Sequence, residues 1–220
     1  MDFKLTEEHL MIRDAARDFA KQELLPGVIE RDNKQEFPKE QVKKMGELGF
    51  LGMMVSPEYG GGGMDTISYV LAMEEPSKID ASCSVIVSVN NSLVCYGLEA
   101  YGNEEQKQKY LTKLATGESL GAFCLSEPEA GSDATSQKTT AIDKGDYYVL
   151  NGTKNWITSG GRAGVYLVIA QTDREKGHKG INAFIVEKGM EGFSVGPKED
   201  KLGIRGSDTH TLQFNDVKVP

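Results

Sequence analysis

The chain has 220 residues, 39% of them hydrophobic and 26% charged, a balance that excludes a disordered or collagen-like polymer. Its formal net charge of −8 argues against charge-driven binding of a phosphate backbone, so nucleic acid is not an expected partner. No apolar stretch reads as approaching the ~20 residues of a membrane helix, and no secretory signal precedes the first helical pattern. A cytoplasmic protein without a membrane span is therefore expected. Cys83, Cys95 and Cys124 are an odd set at no metal-like spacing, and His9, His178 and His210 are scattered, so neither a disulfide framework nor a metal site is expected.

Thr6 is placed to cap a helix in which Ile12, Ala15, Ala16, Phe19, Ala20 and Leu24 recur three and four apart. Pro26-Gly27 interrupts it. A second helix opens after Phe37 and carries Val42, Met45 and Leu48, with Pro38 in the first turn, where a missing N–H is harmless. Asp65 caps a third, expected to turn Ile67, Val70, Leu71 and Ile79 inward, while Pro76 kinks or ends it. Residues 84–89 alone pass for a strand. Over 81–101, however, Ile86, Val89, Leu93, Tyr96 and Ala100 keep helical spacing, and the length predicts a buried helix. Asn103 and Gln106 pair as a cap for a further helix bearing Tyr110, Leu111 and Leu114 and stopped by Gly117.

Charge and pattern change near Glu118. Before the cut, 13 basic and 20 acidic residues give −7; after it, 12 and 13 give −1. Residues 147–150 and 153–158 flank Asn151-Gly152, a dipeptide that accepts the positive φ of a type I′ turn and so predicts a hairpin. Residues 165–170, 181–186 and 209–214 read as further strands, with no room for helices between them. That excludes a doubly wound parallel sheet. The expected fold class is α+β: an N-terminal all-α helical domain, residues 1–118, then a small antiparallel β-barrel or sandwich domain, residues 119–220.

No G-x-G-x-x-G follows a strand and no P-loop pattern occurs, so a Rossmann dinucleotide site is not supported. Two segments stand out. The run from Phe123 through Leu125 and Ser126 to Gly131 and Ser132 is a strand end entering a loop of hydroxyls, able to aim donors at a polar ligand beside an apolar wall. The second, Trp156-Ile157-Thr158 ahead of Gly160-Gly161, sets the single tryptophan next to a hydroxyl, which suits a flat heteroaromatic ligand. Taken singly, the first reads as an ordinary barrel corner and Trp156 as a buried core residue.

Their order and separation resemble the acyl-CoA dehydrogenase family, over essentially the whole chain. The resemblance rests on Leu125-Ser126-Glu127-Pro128 with Ala130-Gly131-Ser132-Asp133, on Leu150-Asn151-Gly152-Thr153-Lys154 with Trp156-Ile157-Thr158, on Gly180-Ile181-Asn182-Ala183-Phe184, and on the run from Lys198 to Ser207. That last run, with Ser88 to Leu93, is most similar to the short-chain, butyryl-CoA members.

The resemblance implies an FAD enzyme that oxidises the α,β-bond of a short-chain acyl-CoA and passes electrons to an electron-transfer flavoprotein. It also implies a homo-oligomer, in this family a homotetramer. Carried over by position, the cofactor-binding residues are Phe123, Leu125, Ser126, Gly131, Ser132, Trp156, Ile157 and Thr158. Ser132 lies where flavin and thioester meet, and Thr158 donates a hydrogen bond near flavin N5. The family's base is a glutamate of a C-terminal helical domain that has no counterpart in residues 1–220, so no catalytic residue is assigned and the chain by itself is expected to be inactive. An oxidase or monooxygenase on the same fold, and a scaffold that has lost its flavin, are the alternatives.

Overall fold

The computed structural model describes residues 4–220. The chain divides into two compact units: one runs to Glu118 and includes Asp200–Ser207, the other comprises Ser119–Glu199 and Asp208–Pro220.

The first unit is helical, and its helix starts are set by local side chains. Helix α1 (Glu7–Phe19) begins at Thr6, whose hydroxyl accepts the His9 N–H while the His9 ring accepts the Thr6 N–H. A π-turn, Ala20–Leu24, continues it to the Pro26-Gly27 break, where Gly27 has φ 74°. Helix α2 (Val28–Asn33), which the sequence pattern does not reveal, buries no side chain and so leaves no apolar period to read. Helix α3 (Lys39–Glu47) follows Pro38.

Helix α4 (Thr66–Ser77) starts at Asp65 and ends one residue past Pro76. Its inward face differs from the expected one. Ile67 and Val70 are exposed, while Ser68, Tyr69, Ala72, Met73 and Glu75 are buried. The reason is an ion pair: Arg17 of α1 forks onto Glu75 at 3.0 and 3.1 Å, and Lys78 adds a contact at 2.9 Å. A carboxylate so paired can face inward, which an apolar count cannot foresee.

Ala81–Tyr101 forms one long helical run: α5 (Ala81–Ser88), a π-turn (Val89–Cys95) and α6 (Tyr96–Tyr101). By length and composition it could cross a membrane, which corrects the expectation that no stretch comes close. With 56% of its most apolar stretch buried, it serves as a core helix of this unit. Leu93 and Tyr96 point outward instead of inward. The inward positions include Asn90 and Asn91, whose amides donate to Leu51 O (2.8 Å), Leu114 O (3.1 Å), Phe50 O (2.7 Å) and Val87 O (3.0 Å). Backbone carbonyls thus select the buried face. Helices α7 (Glu104–Gln106) and α8 (Thr112–Ala115) follow the Asn103–Gln106 capping box, and Gly117 at φ 78° ends the run.

Asp80 joins the α5 N-terminus to Arg31. Its carboxylate accepts the Ser82 and Cys83 N–H groups at 3.0 and 3.2 Å and the guanidinium at 3.1 Å. Asp80→Ala removes the cap and takes the paired carboxylate from a mostly buried arginine, leaving it the Leu24 and Pro26 carbonyls, so a destabilisation of about 3 kcal/mol is expected in urea unfolding. A loss below about 0.5 kcal/mol, the usual scale of an inert surface change, would contradict this account.

The described part of the second unit forms seven strands: β1 (Gly121–Cys124), β2 (Thr140–Asp143), β3 (Tyr148–Thr158), β4 (Val165–Gln171), β5 (Ile181–Glu187), β6 (Phe193–Lys198) and β7 (Thr209–Val219). The order is β1-β4-β2-β3-β7-β6, and off this path β5 pairs antiparallel with β4 along its whole length. An α+β fold without helical crossovers is as expected. The sheet is mixed, however, because β1 pairs parallel with β4 and β2 touches it in the same sense. Parallel neighbours need a long connection, and the loop plus the β2–β3 hairpin supplies it in place of a helix. Leu150, Ile157, Tyr166, Leu212 and Phe214 are among the residues of the core.

Asn151-Gly152 is not a turn. Strand β3 runs straight through it, and the hairpin turn lies earlier, at Gly145 (φ 92°), where the Lys144 N–H donates to Tyr147 O at 2.9 Å. Instead, Gly152 sits at a register shift with φ 152°, and a Cβ there would come within 2.4 Å of Thr139 Oγ1. Glycine serves close approach at this position.

Candidate functional site

Strand β1 ends at Cys124, and the chain then enters the loop that carries Leu125, Ser126, Gly131 and Ser132. Strand β3 brings its C-terminal half alongside. The Asn155 N–H donates to Ser126 O at 2.8 Å, so residues 125–126 lie against 154–156. Phe123, Leu125, Ser126 and Thr158 are half-buried; Gly131 and Ser132 are exposed further along the loop. Ile157 differs from its neighbours because its side chain is buried in the core, leaving only its backbone for a ligand.

Trp156 is 61% exposed, which corrects its reading as a core residue. It adopts φ 62°, at a second register shift of β3 between Lys154 and Ile157. A bulky residue there carries strain of about 1–3 kcal/mol, which persists only where the surroundings impose it. They do. The Ser126 contact holds one side of the bulge, and on the other Ser159, also at φ 62°, donates its N–H to Asp208 O at 2.5 Å. The Asp208 carboxylate accepts the Gly161 N–H at 2.8 Å and lies 2.9 Å from His210 Nε2, while His210 Nδ1 faces Gly196 O at 2.7 Å. The bulge thus presents an indole face and a threonine hydroxyl on a braced frame.

Beneath this surface lies a pair that the motif reading overlooked. Lys154 and Glu127 are buried together, with Nζ 2.7 Å from Oε1. Nζ also donates to Leu125 O at 2.9 Å and Gln137 Oε1 at 3.1 Å, so three acceptors use all three ammonium protons. Glu127 further accepts the Lys138 N–H at 2.5 Å and the Thr139 N–H at 3.1 Å. Burial raises the Glu127 carboxyl, but the hydrogen bonds from Lys154, Thr139 and Lys138 outweigh it and hold the group below its ordinary value. Read as one strand, β3 places Lys154 in step with buried Leu150, a signal for a buried charge that must have a partner.

The eight residues nominated from sequence include hydroxyls, aromatic and aliphatic side chains and a glycine, with no charged group. An exposed ring with adjacent neutral donors fits the flat, uncharged ring system of a flavin.

The acyl-CoA dehydrogenase N-terminal domain family matches residues 6–118, and the acyl-CoA dehydrogenase middle domain family matches residues 122–217. The chain belongs to the acyl-CoA dehydrogenase family. It is 50% identical over 220 residues to the short-chain specific acyl-CoA dehydrogenase of Clostridium acetobutylicum, covering 100% of this chain and 58% of that protein. The chain thus spans little more than half the length of that relative. Among solved structures it is similar to butyryl-CoA dehydrogenase from Megasphaera elsdenii (46% identity, TM-score 0.95, 100% of this chain and 58% of the other). It is also similar to a chain from a study of the electron transferring flavoprotein of Acidaminococcus fermentans (50%, 0.97, 100% and 58%). A further similar structure is an acyl-CoA dehydrogenase complexed with FAD from Bacillus anthracis (40%, 0.89, 99% and 37%).

Proposed function

We propose that this chain provides the helical and flavin-binding parts, residues 1–118 and 119–220, of an enzyme that oxidises a short-chain, butyryl-CoA-like thioester between its α- and β-carbons. Its cofactor is FAD, and its electrons leave to an electron-transfer flavoprotein. A cytoplasmic homo-oligomer is part of the same reading. The observation that carries it is the strained, exposed Trp156 beside Thr158 on a bulge held in place from both sides.

Bound FAD supplies the acceptor for the hydride that leaves the β-carbon. Trp156 flanks the ring with its indole face, while Phe123 and Leu125 shield it from water. The Ser126 and Thr158 hydroxyls donate to ring atoms, Gly131 lets the backbone approach, and Ser132 serves both cofactor and thioester. Ile157 contributes through its backbone. A donor fixed before reaction stabilises charge that develops at the acceptor without reorganisation. Removal of the α-proton needs a positioned carboxylate, and none of residues 1–220 is assigned that role, so this stretch alone is expected to be inactive.

Because Trp156 is the single tryptophan of residues 1–220, the fluorescence of this stretch reports on this site. Titration with FAD is expected to quench the emission in a saturable way, in step with flavin binding. Saturable FAD uptake with unchanged tryptophan emission would place the flavin elsewhere.

A further inference from the structure

We propose that Lys154 and Glu127 are positioning residues for the cofactor: together they clamp the loop of Ser126 onto the strand of Trp156 and so set the spacing of the two walls that hold the ring. The proposal rests on the flavin reading above and goes one step further, since neither residue belongs to the nominated contact set.

The clamp follows from the order of contacts. Lys154 Nζ gathers the end of β1 through Leu125 O, the start of the loop through Glu127 and the end of the loop through Gln137. Glu127 turns back and holds the N–H groups of Lys138 and Thr139, which lead into β2. Both ends of the 125–139 loop therefore meet at one ammonium group, while residues 131–133 and 135–136 between them are exposed. The next residue of β3, Asn155, ties Ser126 O to the strand, and the one after it is Trp156. A shift of Nζ moves Leu125 and Ser126 relative to the indole, because the connecting bonds are short and buried.

A buried pair of this kind is weak grounds for net stability, since apolar residues of similar volume often replace it without loss. What they do not replace is the direction of the hydrogen bonds. Stability and cofactor geometry can thus be separated by experiment.

The test compares the complete wild-type protein with the Lys154→Met/Glu127→Leu double variant, reading FAD affinity, quenching of Trp156 emission at saturating FAD, and cooperative unfolding. The expected result is a cooperatively folded variant that binds FAD at least about tenfold more weakly and quenches Trp156 less at saturation. A purely structural role predicts affinity and quenching that follow unfolding midpoint alone. Unchanged affinity and quenching in a folded double variant would overturn the proposal. Should the double variant not fold, Gln137→Met removes one of the three Nζ acceptors, with about threefold weaker binding expected. Unchanged binding there overturns the proposal equally. Wild-type protein that takes up no FAD refutes the flavin reading itself, and the proposal with it; wild-type uptake with unaltered variants refutes the clamp alone.

Discussion

Thr158→Val in the complete, FAD-loaded protein is expected to slow flavin reduction by butyryl-CoA about a hundredfold, the scale of losing one preorganised donor. Valine keeps the β-branch and nearly the volume of threonine, so the backbone pairing of residue 158 with Thr209 is retained. Only the hydroxyl is lost. Ground-state binding of the flavin should change less than the rate, because the proposed donor acts where charge develops. Rapid mixing under anaerobic conditions reads the rate directly. A variant reducing its flavin at the wild-type rate would remove Thr158 from the mechanism.

The second large effect is on stability. Lys154→Met alone leaves Glu127 buried with its charge uncompensated, and a loss of about 3–5 kcal/mol is expected in urea unfolding near neutral pH. Adding Glu127→Leu should recover much of it, which is how a broken pair differs from a lost contact. The acid limb gives a second readout. Glu127 is held below its ordinary 4.5 in the folded protein, so its contribution is fully present above 4.5 and fades as pH falls through the lower folded value. The wild type should lose stability in that window more steeply than the double variant. Equal acid slopes would show that Glu127 titrates as it does in the unfolded chain.

The helix caps were legible because each is a contact across three residues: Thr6 with His9, Asp65 with Ser68, Asn103 with Gln106. Helix faces were less so. The inward side of α4 depends on Arg17, which lies 58 residues from Glu75, and that of the π-turn between α5 and α6 on carbonyls of residues 50 and 51. No period within one helix contains that information. Asn151-Gly152 was misplaced because the same positive-φ tolerance serves a hairpin turn and a bulge, and only the neighbouring Thr139 distinguishes them.

That one error hid another. A strand divided at Asn151 gives Lys154 no inward parity with Leu150, and the buried partner of Glu127 disappears from view. The residues nominated for the flavin stand out only as an ordered set of motifs. Trp156 by itself carried no mark of exposure, since its orientation comes from the left-handed bulge and not from its residue type. Ile157, nominated beside it, shows the converse: one position further along the strand, the side chain returns to the core.

Central to the proposed function is that this chain holds FAD for the oxidation of a short-chain acyl-CoA. Anaerobic titration of the complete, FAD-loaded protein with butyryl-CoA, followed by flavin absorbance, tests it most directly. The flavin band is expected to bleach in proportion to added thioester until the flavin is consumed. A protein that takes up no FAD, or whose bound FAD keeps its absorbance with butyryl-CoA in excess, would contradict it.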